Sequence, residues 1–238
     1  MLTDELLTYL FDGQSHVLGA PMRVWLGSSR RFTAFVSTFR NKIRKKLRVT
    51  QDRETLRDLR LELETAYLLL QEKTLSLVYE PEQNRQVRSP DFAVSYTTSL
   101  TFMVEVTRLR EVSPSEHGVD VAGERLADVI CSKLSQLLAQ RRNVLIVGMD
   151  AFQITQSDVP LIMHRIQQRA ERDEAFWHRY GFRDRADFFR HYQRLSEVLV
   201  RGSELQAEER VLAWVNPQAK QPLPSKVRTA LYRSHQVI

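Results

Sequence analysis

The chain has 238 residues, 42% of them hydrophobic and 27% charged, with a net charge of +6 and a pI near 9.6. Its single cysteine, Cys131, excludes an intrachain disulfide and a cysteine-based zinc site, and no apolar run approaches the length of a membrane span. The basic balance favours polyanionic partners; the acidic start, Met1–Glu5, does not read as a secretory signal, so the expected compartment is the cytoplasm.

Residues 3–11 read as a short helix. Residues 12–28 contain Gly13, Gly19, Pro21 and Gly27 and read as a loop with a short strand around Met22–Leu26. Phe32, Phe35, Val36, Phe39, Ile43 and Leu47 recur at helical spacing and predict a basic amphipathic helix over 30–47. The same stretch gathers Arg40, Lys42, Arg44, Lys45, Lys46 and Arg48. Such a run suits either contact with a nucleic-acid backbone or a solvated helix face. A second helix is expected over 52–71, with Leu56, Leu59, Leu63, Tyr67 and Leu70 as its apolar stripe.

Strands follow at 75–79, 92–96 and 101–109, then a polar loop over 110–122 and a helix over 124–140. Residues 143–147 form an apolar strand of the kind buried on both faces. The stretch 158–200 reads as helical and aromatic-rich, and the end as a strand at 210–214, a Pro-rich turn and a last short helix. The class is therefore α/β, a mixed central sheet flanked by helices. The expected division is an N-terminal helical arm (1–50), a core (51–150), and a C-terminal helical subdomain with a final strand packed on the core (151–238).

Within this frame Asp91 follows Pro90 at the opening of the second strand, and Glu105 lies in the third. Carboxylates on adjacent strands suit a hard cation, because Mg²⁺ is held by one or two carboxylates plus phosphate and water. Parity sets a condition. With a two-residue loop the two acids fall on opposite faces; a shared site requires an odd-length loop near Thr97–Leu100, or a bulge.

The order helix, strand, strand, strand, helix, strand over 52–148, with Pro90-Asp91 and Glu105 so placed, resembles the PD-(D/E)xK nuclease superfamily, the restriction-endonuclease-like fold. The resemblance implies that Asp91, Glu105 and the Val106 backbone carbonyl hold Mg²⁺ or Mn²⁺. It also implies a lysine two residues after Glu105 that positions or activates the attacking water. Thr107 stands there instead and cannot supply the charge. At ~100° per residue, Lys133 lies within the stripe Leu126, Val129, Ile130 and Leu137 of the helix 124–140, with Gln136 at its edge. A lysine aimed at a sheet is costly to bury unpaired. Asp91 and Glu105 are the natural partners, and snorkelling to an edge is the alternative. Lys133 is thus the candidate substitute for the motif lysine, with Thr107 and Gln136 behind the site. Members of the family often add a Glu from the helix before the first strand; Glu62 is the candidate, an exposed helix charge the alternative.

The function implied is metal-dependent hydrolysis of phosphodiester bonds, with DNA the expected substrate, Arg40–Arg48 the expected backbone contacts, and a homodimer an option that the resemblance carries. The alternative is a catalytically inactive relative that binds nucleic acid or a protein partner. His117, His164, His178 and His191 show no metal-ligand spacing, and Cys131 is expected on the polar side of its helix. Aromatics interleaved with arginines between Phe176 and Arg194 suit either base stacking or the core of a helical insertion.

Overall fold

The computed structural model describes residues 3–50, 52–81, 89–110, 119–150, 154–202 and 211–236. Its centre is a six-stranded mixed sheet whose spatial order follows the chain: β1 (Leu75–Tyr79), β2 (Phe92–Tyr96), β3 (Leu100–Leu109), β4 (Asn143–Met149), β5 (Leu195–Gly202) and β6 (Leu212–Val215). β1, β2 and β3 form an antiparallel meander. β3, β4 and β5 run parallel, and β6 returns antiparallel to β5.

The period-2 alternation of these strands sends their apolar side chains to two separate cores. Phe92, Val94, Phe102, Val104, Val144, Ile146 and Leu199 face α1 (Thr3–Phe11), α2 (Gly19–Ser28), α3 (Arg30–Val49), α4 (Arg53–Leu69) and α9 (Ser225–Gln236). Leu145, Val147, Val198 and Val200 face α5 (Val119–Leu134), α6 (Asp158–Arg172), α7 (Glu174–Arg179) and α8 (Arg185–Tyr192). β4 is buried along its whole length, as its apolar run implies. Phe176, Phe182, Phe188 and Tyr192 are core residues of the second face, in keeping with the helical-insertion reading.

Several elements depart from expectation, each for an identifiable reason. α2 is a helix where a loop was expected. Pro21 sits in its first turn, where a missing N–H costs nothing, and Met22, Trp25 and Leu26 bury one side. β5 is a strand where helix was expected, because periodicity does not separate the two states in a short apolar run. Its polar residues are matched across the fold, Glu197 to Arg228 at 2.5 Å and Arg201 to Glu64 at 3.1 Å. Glu64 is therefore fully buried rather than solvated on α4.

α5 begins at Val119 and ends at Leu134, short of 140. The chain leaves it through tight turns, with the Gln136 and Leu137 amides donating to the Lys133 and Leu134 carbonyls. Cys131 is buried, not polar-facing, because α6 covers the outer side of α5; burial pushes its thiol pKa up. The loop segments 82–88 and 111–118 lie outside the described residues.

At Gly148, β4 lies close against α4. A Cβ there would stand 2.6 Å from a Leu61 methyl, and Leu61 is itself buried. Gly148→Ala is expected to destabilise the fold by about 1–3 kcal/mol through overpacking, read as a lower urea midpoint at unchanged m-value.

Candidate active site

The β2–β3 hairpin closes at the Tyr96–Leu100 pair around Thr97, Thr98 and Ser99. Thr97 takes the left-handed conformation, φ 51°, that turns the chain. The loop is therefore odd in length, and the parity condition holds. Phe92 pairs with Val104, and Asp91, the residue before β2, stands at the end of this register beside Glu105 and Val106. Asp91 Oδ2 accepts a hydrogen bond from the Val106 backbone amide at 2.7 Å. Because the N–H and C=O of a strand residue point the same way, the Val106 carbonyl opens toward the same end.

Helices on both faces contribute charge. From α5, Lys133 Nζ donates to Glu105 Oε1 at 2.9 Å and to Gln136 Oε1 at 3.3 Å. The lysine is thus paired, not snorkelled, and Glu105 is 6% exposed rather than solvent-facing. From α3 and α4, Lys46 Nζ lies 2.7 Å from Glu62 Oε1 and 2.7 Å from a Glu80 oxygen, 5.0 Å from the Tyr79 ring centroid. Thr107 follows Glu105 along the same face, at the level of Val147.

These charges do not balance. Burial pushes the Asp91 carboxyl pKa well above the usual carboxylate range, and the negative charges of Glu62 and Glu105 push it further. The Val106 amide and Lys46 offset only part of this. Burial also raises Glu62, against the pull of Lys46. Lys46 itself is raised, since Glu62 and Glu80 outweigh its own desolvation. Among the described residues, Asp91 has no side-chain cation at ion-pair distance.

A divalent cation would relieve an excess of buried negative charge, and the oxygens that could hold Mg²⁺ or Mn²⁺ are those of Asp91, Glu105 and the Val106 carbonyl. No group of three or more Asp, Glu, His or Cys side chains converges as a cage among the described residues. Mg²⁺ does not require one, because it keeps several waters and takes only one or two carboxylates. Glu62 pairs with Lys46 and is also the largest charged influence on Asp91.

The basic helix does less surface work than its composition suggested. Lys42 donates to the Tyr79 and Glu80 carbonyls, Arg44 and Arg48 pair with Asp12, and Lys46 belongs to the acid cluster. Arg40 and Lys45 are exposed. The role of Lys46 was missed in the sequence, although a signal existed: it lies three residues after the buried Ile43, on the inner flank of α3.

The chain matches no protein-family model, no curated protein and no solved structure.

Removing the unbalanced charge is expected to stabilise the metal-free protein. A carboxyl whose folded pKa is raised keeps its proton longer folded than unfolded, so its stabilising effect fades as pH rises through that window. Asp91→Asn keeps an oxygen for the Val106 amide and should raise the melting temperature by on the order of 2–4 °C. The gain should be larger at pH 8 than at pH 5, as read by differential scanning fluorimetry in EDTA.

Proposed function

We propose that this protein is a metal-dependent phosphodiesterase acting on nucleic acid, with DNA the first substrate class to test, and that its core is restriction-endonuclease-like. The observation that carries this reading is a pair of buried carboxylates, Asp91 and Glu105, close enough for the charge of one to act on the other, with Lys133 of the following helix bound to Glu105. When bound, Mg²⁺ polarises a phosphate and lowers the pKa of water.

Asp91 and Glu105 supply the anionic oxygens for it, with Asp91 oriented by the Val106 amide. Lys133 holds Glu105 in place and sets a positive charge where negative charge develops on the phosphate, the kind of preorganised stabilisation that contributes most to many enzymatic rates. Thr107 leaves this position open to a lysine arriving from the helix. Lys46 holds Glu62 on the other side of the cluster and limits the negative charge around Asp91.

A second reading is a nuclease-like scaffold without catalysis, which binds nucleic acid or a protein. What favours it is that Glu105 and Glu62 each already have a lysine partner.

Single- and double-stranded DNA and RNA incubated in Mn²⁺ separate the two readings. Cleavage is expected from the wild type, with a loss of at least ~100-fold in Asp91→Asn and Lys133→Met, the scale on which one preorganised donor contributes. Mg²⁺ or Mn²⁺ should also raise the melting temperature of the wild type but not of Asp91→Asn. No cleavage of any substrate, with no metal-dependent stabilisation, turns the reading to the scaffold.

A further inference from the structure

A second concentration of positive charge lies away from the acid cluster. A cleft of about 200 Å³ opens between the turn after α5, the end of α8 and the loop between β6 and α9. Arg141, Arg190, Arg194 and Lys220 line it, with Gln140 and Gln193 among the uncharged residues and no acidic residue in its lining. Three separate segments thus wall one small concavity, whose exposed surface is mostly the apolar stems of these side chains; Arg141, Arg190 and Lys220 are exposed at it.

The arrangement is held by buried amides, not by chance contact of surface side chains. Asn143, 2% exposed, accepts from the Leu138 amide and donates to the carbonyls of Leu138, Arg141 and Arg194 at 2.9–3.0 Å. One side chain therefore ties the turn carrying Arg141 to the segment carrying Arg194. Asn216, equally buried, donates to the Tyr192 and Leu195 carbonyls, and the Lys220 amide donates to the Gln193 carbonyl at 2.9 Å. This fixes the loop of Lys220 against the end of α8.

The charged heads keep donors in hand. Arg194 uses Nη1 on the Leu137 carbonyl at 3.0 Å, and Arg190 uses Nη1 on Asp187 at 3.1 Å; a guanidinium has five N–H donors. Among the described residues, Arg141 and Lys220 have no acidic partner. Burial lowers the Arg194 pKa; of its charged neighbours, Asp187 opposes this more than Arg190 adds to it.

The cleft adjoins the acid cluster through a single turn of chain. Lys133 reaches Glu105, Gln136 accepts from Lys133, and the next carbonyl, Leu137, orients Arg194. The cleft lies where β4 and β5 begin, at Asn143 and Leu195. The α3 cations, by contrast, are largely tied to Asp12, Glu62, Glu80 and backbone carbonyls.

We propose that this cleft binds a backbone phosphate of a nucleic-acid strand and so holds that strand across the Asp91–Glu105 site. The proposal rests on the phosphodiesterase reading for the strand's path, and on the cleft alone for phosphate binding. Arginine forks and a lysine around an acid-free cleft suit a phosphate's oxygens.

The test uses the full chain in EDTA, where binding is read without cleavage. Fluorescein-labelled DNA, single-stranded and duplex, is titrated by polarisation at several salt concentrations. The double variant Arg141→Gln/Lys220→Gln removes two exposed heads that make no side-chain bond among the described residues, and its unfolding midpoint checks the fold. Arg40→Gln/Lys45→Gln is the comparison on α3.

The cleft double variant is expected to bind on the order of tenfold more weakly. Its log–log salt slope should be shallower by up to ~1.4 on a single strand, about 0.7 for each phosphate that is no longer neutralised. Wild-type affinity and slope in that variant, or weakening confined to the α3 pair, overturns the proposal, as does an absence of salt-sensitive binding by the wild type. Cleavage in Mn²⁺ reports separately on the Asp91–Glu105 site. Cleavage with binding unchanged in the cleft variant sinks the cleft alone; weakened binding in that variant without any cleavage by the wild type supports the cleft and sinks the hydrolase reading.

Discussion

The pairing register of β2 with β3 is the constraint on which the site depends. A three-residue turn at Thr97–Ser99 fixes it, and a one-residue slip would send every side chain of β2 to the other face of the sheet. Asp91 would then leave Glu105, and Phe92 and Val94 would leave the core they share with Phe102 and Val104. Burial of those four residues, all fully buried, thus holds the carboxylates in place. β3 in turn pairs in parallel with β4, setting Glu105 beside Leu145. The connection between them contains α5, which packs on the same face as Leu145. Lys133 arrives over Glu105 because that crossover must cover β4.

Buried charge elsewhere in the molecule is matched by partners. Arg108 has a fully buried side chain and meets Glu54 at 2.6 Å, Asp58 at 2.8 Å and Asp150, joining α4 to the ends of β3 and β4. Glu197 meets Arg228 at 2.5 Å and the Tyr232 hydroxyl at 3.0 Å, joining β5 to α9. Each matches an ion to partners of opposite charge or to a donor, which a buried ion requires because desolvation alone costs several kcal/mol. The cluster at Asp91 is built differently. Two lysines reach Glu105 and Glu62, while the carboxylate between them receives one backbone amide and the repulsion of both neighbours. Strong perturbation by burial and like charge, at a place where strand ends meet two helices, makes the cluster a candidate functional site.

What could be read in the sequence was what depends on local pattern. The fully apolar run 143–147 announced a central strand, and the position of Lys133 within an apolar stripe announced its inward aim. The α/β class followed from the order of elements, and the parity rule stated which turn length a shared site needs. What could not be read was set by partners distant in sequence. Glu64 looks like a surface charge on α4 until Arg201, 137 positions away, lies 3.1 Å from it. The strand at 195–202 carries that same arginine and a glutamate, which argue against a buried strand unless their partners are known. Cys131 and its flank of α5 looked solvated until α6 covered them. Lys46 was grouped with a basic run by composition, although its place beside Ile43 had already turned it inward.

The position of Lys46 changes what the basic helix means. A cation bound within an acid cluster offers little to a phosphate approaching from solvent, because its field is already balanced by Glu62 and Glu80. Net charge on a sequence segment therefore overstates the charge available at its surface. The same accounting applies to Thr107. On the proposed function, an ammonium is needed at a place in space, near Glu105, and not at a given address on the strand. Thr107 and Glu105 share one face of β3, over which α5 packs; a lysine from the strand and one from the helix enter the same space from opposite sides. The helix route carries a consequence that the strand route lacks. It links the charge at Glu105, through Gln136 and Leu137, to the turn that carries Arg141 and orients Arg194. The turn after α5 thus touches both the Lys133–Glu105 pair and one wall of the proposed phosphate cleft, whose other walls, at Arg190–Arg194 and Lys220, are held by Asn143 and Asn216.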